Sequence, residues 1–94
     1  MLMNKENKAI WTRLQDDLGF HAASKRGEGQ GEYRLDKGTT RVIWHDEGDG
    51  EGWWRVLQFD SKNRLVEFNI EMSMATPAAT VIAIINTVER KNNL

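Results

Sequence analysis

Residues 53–72 read WWRVLQFDSKNRLVEFNIEM, two strand-like runs separated by turn-forming residues. β-Branched and aromatic side chains dominate residues 53–59, as is typical of strands. Asp60-Ser61-Lys62-Asn63 indicates a turn, because short polar side chains hydrogen-bond to nearby backbone. Residues 64–72 then alternate, which predicts a strand with two different faces: Val66, Phe68, Ile70 and Met72 on one, and Leu65, Glu67, Asn69 and Glu71 on the other.

Two further strands are predicted upstream of this hairpin. Residues 32–36 alternate between polar and apolar side chains, and residues 40–45 are again rich in β-branched and aromatic ones. Gly38 lies between the two runs and indicates a tight hairpin. Residues 20–25 are a candidate edge strand. Because links this short join antiparallel strands only, the sequence predicts a four- or five-stranded antiparallel meander.

A helix is predicted on each side of the sheet in the sequence. Residues 5–18 carry an apolar stripe at the helical period, with Asn4 or Asn7 as N-cap and Gly19 as the terminating residue. The stripe consists of Ile10, Trp11, Leu14 and Leu18. Thr76 as N-cap and Pro77 at the first helical position predict a second helix that runs to the end of the chain.

These elements predict one α+β domain over residues 1–94, with an N-terminal helix, a meander sheet and a C-terminal helix packed on the sheet. Ninety-four residues leave little room for a second domain. The longest apolar run is far shorter than the roughly 20 residues of a membrane span, and no secretory signal pattern precedes it. We therefore expect a cytoplasmic protein.

Charge and cysteine content exclude several functions. Thirteen basic and fourteen acidic residues give a net charge of −1, which argues against a general polyanion binder and against an acidic DNA mimic. The chain has no cysteine, so disulfides, thiolate metal ligands and thiol nucleophiles are excluded.

Two glycine-rich loops, Arg26–Glu32 and Glu47–Gly52, are predicted at the same end of the meander. They are either loop tips that become ordered on a ligand or partner, or solvated turns in which glycine permits positive φ, and the second interpretation is favoured. Four carboxylates lie within the six residues 46–51, in the second loop and just before it, but their spacing does not match a calcium-binding EF-hand loop. We expect no metal and no cofactor. The carboxylates are predicted instead to contact a partner: Asp46, Glu47, Asp49 and Glu51.

Catalytic residues are scarce, and we expect no enzyme. His21 and His45 lack metal-ligand spacing, and His45 and its neighbour Asp46 should point to opposite faces of a strand. Glu67, Asn69 and Glu71 share a strand face, which any solvated sheet face also shows.

Two adjacent tryptophans give the strongest sequence information about which side of the sheet is the core. Trp53 and Trp54 must face opposite sides of their strand. One assignment puts Trp53 in the core and leaves Trp54, Val56 and Ile43 as an outward apolar strip for homodimerisation or for a protein partner. In the other, the two helices cover opposite faces and bury both sides of the sheet.

Nucleic-acid binding is a lesser alternative. Arginines occur on four successive predicted strands, and exposed aromatic side chains between them could stack on bases. The arginines are Arg34, Arg41, Arg55 and Arg64. Acidic residues interleave with them, and no RNA-recognition signature is present.

Trp53-Trp54-Arg55-Val56, followed by a strand and by residues 73–82, SMATPAATVI, resembles small uncharacterised domains of actinobacteria and their phages. The resemblance covers about the last 45 residues. It implies no activity, but it implies a setting in which small accessory proteins modulate host or defence proteins. The predicted function is therefore a non-enzymatic protein-interaction module, a phage or mobile-element accessory protein that binds a host or self protein partner such as a defence or regulatory protein. The alternative is a small ligand- or nucleic-acid-binding domain that uses the sheet face and the glycine-rich tips.

Overall fold

The computed structural model describes residues 3–22, 31–60, 62 and 64–92. Five antiparallel strands form one open sheet in the order β1-β2-β3-β4-β5, between an N-terminal and a C-terminal helix. The predicted α+β class and meander are confirmed. The elements are α1 (Lys5–Asp16), β1 (His21–Ala22), β2 (Glu32–Lys37), β3 (Thr40–Gly48), β4 (Glu51–Phe59), β5 (Leu65–Met72) and α2 (Ala78–Asn92).

Helix α1 has the predicted signals at both ends. The Asn4 side chain accepts the backbone N–H of Asn7 and so caps the helix. At the other end, Gly19 has φ +77° and the Phe20 N–H donates to the Leu14 carbonyl at 2.9 Å. The last helical residue is Asp16, two residues before the predicted end, because the chain already turns toward Gly19.

Helix α2 begins one residue later than predicted. The first helical hydrogen bond runs from the Val81 N–H to the Pro77 carbonyl at 3.0 Å, so Pro77 lies just before the helix rather than inside it. Thr76 contributes to the preceding turn, where its N–H donates to the Ser73 carbonyl. Neither helix, over the residues described, is long and apolar enough to cross a membrane.

Both helices pack on the same face of the sheet. Their buried side chains share one cluster with side chains that alternate along the strands. α1 and α2 contribute Ile10, Leu14, Val81, Ile82, Ile85 and Val88, and the strands contribute Leu35, Val42, Trp44, Trp54, Val56 and Met72. Phe20 completes the cluster from the segment after α1.

The predicted outward strip of Ile43, Trp54 and Val56 is therefore wrong. Trp54 lies opposite Trp44, and Val56 lies opposite Val42, so both point toward the helices and are buried. Ile43 lies opposite Arg55 and faces the other way. The alternative with a helix on each face is also wrong, because α1 and α2 lie on one side.

Candidate functional site: the uncovered face of the sheet

The side of the sheet away from the helices has no described element packed on it, and we call it the uncovered face. Its side chains stand in register across β2, β3, β4 and β5. One row is Arg34, Ile43, Arg55 and Glu71, and the next is Asp36, Arg41, Leu57 and Asn69. Glu32, His45 and Trp53 form the row nearest the β3–β4 hairpin.

Two aliphatic side chains lie at the centre of this face. Ile43 and Leu57 are each only 8% exposed, although neither belongs to the core cluster under the helices. Their cross-strand neighbours are arginines, with Arg34 and Arg55 beside Ile43, and Arg41 beside Leu57. Long arginine stems can cover apolar surface while the guanidinium stays in water, so the face has an apolar centre under a charged layer.

The arginines of the uncovered face are paired with carboxylates. The Nε atoms of Arg34 and Arg41 lie 3.5 and 2.9 Å from the two oxygens of Asp36. Arg55 pairs with Glu71 on β5. The positive charges of this face are therefore matched by negative charges within the same chain.

Two of these arginines also cover aromatic rings. The Arg55 guanidinium lies 5.5 Å from the Trp53 ring centroid, and that of Arg41 lies 4.8 Å from the Phe59 ring centroid. Phe59 follows a register shift at the end of β4. It lies at one margin of the uncovered face, and Trp53 lies toward the other end of the same strand.

His45 contacts Glu32, Glu47 and Trp53. Its Nδ1 lies 3.3 Å from Glu32 Oε2, its Nε2 lies 3.3 Å from Glu47 Oε1, and its ring stacks on Trp53 at 4.5 Å and 18°. A neutral imidazole has one N–H and can donate to only one of these carboxylates, whereas a protonated ring can donate to both.

Asp46, which we do not expect to act together with His45, makes a contact of its own. The Asp46 carboxylate accepts the Gly48 N–H at 2.8 Å instead. Sequence reasoning missed the contact with Glu32, which depends on the pairing of β2 with β3. It could have found Glu47, which is two residues along the same strand and so on the same side. Within the described part of the chain, no group of three or more histidine, aspartate or glutamate side chains is arranged to hold a metal ion.

Three of the four acidic residues of the β3–β4 hairpin, Asp46, Glu47 and Glu51, have separate partners rather than a shared centre. Glu47 accepts the Trp53 Nε1–H at 3.0 Å, and Glu51 accepts the Asn4 Nδ2–H at 3.1 Å. The Asn4 N–H also donates to the Gly50 carbonyl at 2.9 Å. This hairpin therefore rests on the start of α1, and of the predicted acidic contacts only Glu47 reaches the uncovered face.

Gly50 permits the close approach between this hairpin and α1. Its φ is +81°, and a Cβ at this position would lie 2.8 Å from the Asn4 nitrogen. Most of the other glycine-rich loop, Arg26–Glu32, lies outside the described residues. Its described end adjoins the hairpin, because the Gly31 carbonyl accepts the Asp46 N–H at 2.8 Å.

The described residues line a small depression on the uncovered face. This depression of about 180 Å³ lies at the far end of the face, lined by Asp36, Gly38, Thr39, Thr40, Arg41 and Phe59. Drug-sized ligand pockets are larger, at about 300–1,000 Å³. This depression is therefore too small to enclose a ligand of that size.

Comparison of the chain with models of known protein families, with curated proteins and with solved structures found no match.

Proposed function

We propose that the protein is a non-enzymatic module that binds a host or self protein partner through the uncovered face of its sheet. The observation that carries the proposal is the one-sided packing of the helices, which leaves Ile43, Leu57 and Trp53 on the face where no described element lies. A sheet face with no described element on it, whose aliphatic centre lies under arginine stems, offers a partner a mixed apolar and charged surface.

The chemistry of this face supports a protein as the partner. Protein interfaces combine an apolar, aromatic centre with a polar rim, and tryptophan and arginine are enriched among the residues that dominate affinity. Here the half-buried Trp53 lies between His45 and Arg55, and charged side chains surround the central Ile43 and Leu57.

The same contacts favour nucleic acid less. Arg41 and Arg55 each hold a carboxylate and lie over an aromatic ring. A phosphate would have to displace a carboxylate, and a base would have to displace a guanidinium from Trp53 or Phe59. The phage or mobile-element setting implied by the resemblance stays a prediction.

The test is affinity capture with matched variants. Arg34→Glu and Trp53→Ala alter the uncovered face. The matched control is Arg13→Glu, which reverses the charge of an arginine on the exposed side of α1 as Arg34→Glu does on the sheet. Each tagged protein is incubated with a lysate of the native host after circular dichroism has shown that it is folded. We expect a protein that is recovered with wild type and Arg13→Glu and lost with both face variants.

Two results would contradict the proposal. One is recovery that depends on Arg13 rather than on the face variants, which would place the binding surface on the helices. The other is face-dependent recovery of RNA or DNA that falls steeply with salt, which would favour the nucleic-acid alternative.

A further inference from the structure

We infer that the partner of the uncovered face is a second copy of this chain, packed face to face about a two-fold axis. This inference rests on the proposed function and names the protein that binds there. The placement of charges on the uncovered face makes this face complementary to a second copy of itself.

A two-fold interface brings one surface against a copy of itself, so each residue must tolerate its own symmetry-related set of neighbours. A face with charges of one sign would repel its copy. The uncovered face instead has three arginines among carboxylates of similar number: Arg34, Arg41 and Arg55 against Glu32, Asp36, Glu47 and Glu71.

The register allows two simple arrangements, and both oppose unlike charges. An axis parallel to the strands places β2 over β5 and β3 over β4 of the second copy. Within the row that begins at Arg34, Arg34 then faces Glu71 of the second copy, and Ile43 faces the stem of Arg55. No arginine faces another arginine.

An axis across the strands places each strand over its own copy in the reverse direction. With the axis between the two central rows, Arg34 faces Asp36 of the second copy. Trp53 then faces Phe59 at the opposite end of β4, so two aromatic pairs form at the edges of the interface. Arginine again opposes no arginine.

The size of the face sets the affinity range. Strands lie about 4.8 Å apart and rise about 3.3 Å per residue, so four strands of about eight residues cover about 500 Å² on each copy. About 1,000 Å² in total is the lower limit for a specific interface, which predicts a weak dimer. The measurement therefore needs concentrations from about 10 to 500 μM, the range in which weak complexes assemble.

Sedimentation equilibrium of the purified wild type tests the inference directly. We expect a monomer–dimer equilibrium in this range, weakened at least tenfold by Arg34→Glu and unchanged by Arg13→Glu. A wild type that stays monomeric at 500 μM would overturn the inference, as would a dimer equally sensitive to Arg13→Glu.

Charge-swap mixtures identify the arrangement. Arg34→Glu and Glu71→Lys should each weaken self-association, but a mixture of the two should form a heterodimer if the axis runs along the strands. A mixture of Arg34→Glu with Asp36→Lys should do so if the axis runs across them. Loss of the dimer with rescue in neither mixture would contradict face-to-face packing, provided that circular dichroism shows each variant folded.

The outcome also separates this inference from the proposed function. A monomeric wild type whose face variants still lose a captured host protein leaves the proposed function standing and removes only the self-association. A dimer that is insensitive to all face variants, with capture equally insensitive, would remove both.

Discussion

At the scale of single residues, the neighbours Trp53 and Trp54 show how far alternation can be used. The alternation of side chains along a strand correctly places Trp53 and Trp54 on opposite sides of β4. It does not show which side is the core, because apolar residues occur on both sides of β3 and β4. In the structure, Gly52 makes room for a core side chain on the helix side of the sheet. A Cβ there would lie 2.6 Å from Trp44 Cη2, so the missing side chain leaves room for the Trp44 ring on the helix side.

The tryptophan side chains then differ in what they contact. The Trp54 ring centroid lies 5.0 Å from that of Trp44 and 6.4 Å from that of Trp11, and Trp54 Nε1 donates to Asn7 Oδ1. Trp54 thus joins β4 to α1. The described contacts of Trp53 are instead with side chains of the uncovered face: its ring contacts His45 and Arg55, and its Nε1–H donates to Glu47.

Truncation of the two tryptophans should therefore have unequal effects on stability. Trp54→Ala should lower the free energy of unfolding by about 3–5 kcal/mol, as for other buried aromatic side chains. Trp53→Ala should lower it by less, because its ring is half-buried and leaves a surface rather than a closed cavity. Urea denaturation followed by circular dichroism measures both, and a larger loss for Trp53→Ala would contradict the assignment of the core.

At the scale of elements, the turn between β4 and β5 is organised by one carboxylate. Asp60 Oδ1 accepts the N–H groups of Arg64 and Lys62 at 2.8 and 2.9 Å, and Oδ2 accepts the Arg64 Nε–H at 3.0 Å. These bonds, the backbone one from Arg64 first, lower the pKa of Asp60 below its ordinary value. The contacts of Asp60 with Lys62 and Arg64, the described part of this turn, are therefore favoured by the ionised form of Asp60.

This turn should make stability depend on acid. Because the folded state lowers the pKa of Asp60, its contribution is complete above the unfolded value of about 3.9 and is lost as the pH falls through the lower folded value. Asp60→Asn should be less stable than wild type at pH 5, and the gap should narrow toward pH 2. Urea midpoints measured across this range give the comparison, and a gap independent of pH would show that the carboxylate does not stabilise the turn through its charge.

At the scale of the whole molecule, the packing of both helices on one side decides which face of the sheet is buried. α2 has a continuous buried stripe, Val81, Ile82, Ile85 and Val88, that packs beside α1 on the helix side of the sheet. Its β-branched residues have modest helix propensity, so its stability depends on this packing. The same packing leaves the other side of the sheet without a described element on it.

Docking of α2 can be tested at its centre. Ile85 is fully buried, so Ile85→Asp would place a charge in the core at a cost of several kcal/mol, comparable to the stability of a small domain. We expect loss of cooperative thermal unfolding. The matched control is Ala83→Asp on the exposed side of the same helix, which should melt near the wild-type temperature. A cooperative transition in Ile85→Asp would show that the helix does not pack as described.

The sequence by itself determined the order of elements, the hairpin links, an asparagine N-cap for α1 at Asn4 or Asn7, the helix stop at Gly19, and the opposite orientation of Trp53 and Trp54. These features depend on backbone geometry within a few residues, which local side-chain types control. Only the tertiary structure decided which face of the sheet meets the helices. It also placed Glu32 beside His45, and Asn4 against the β3–β4 hairpin. Each of these depends on surfaces that are distant in the chain, and both faces of the sheet have enough apolar residues to look like a core until the helices cover one of them.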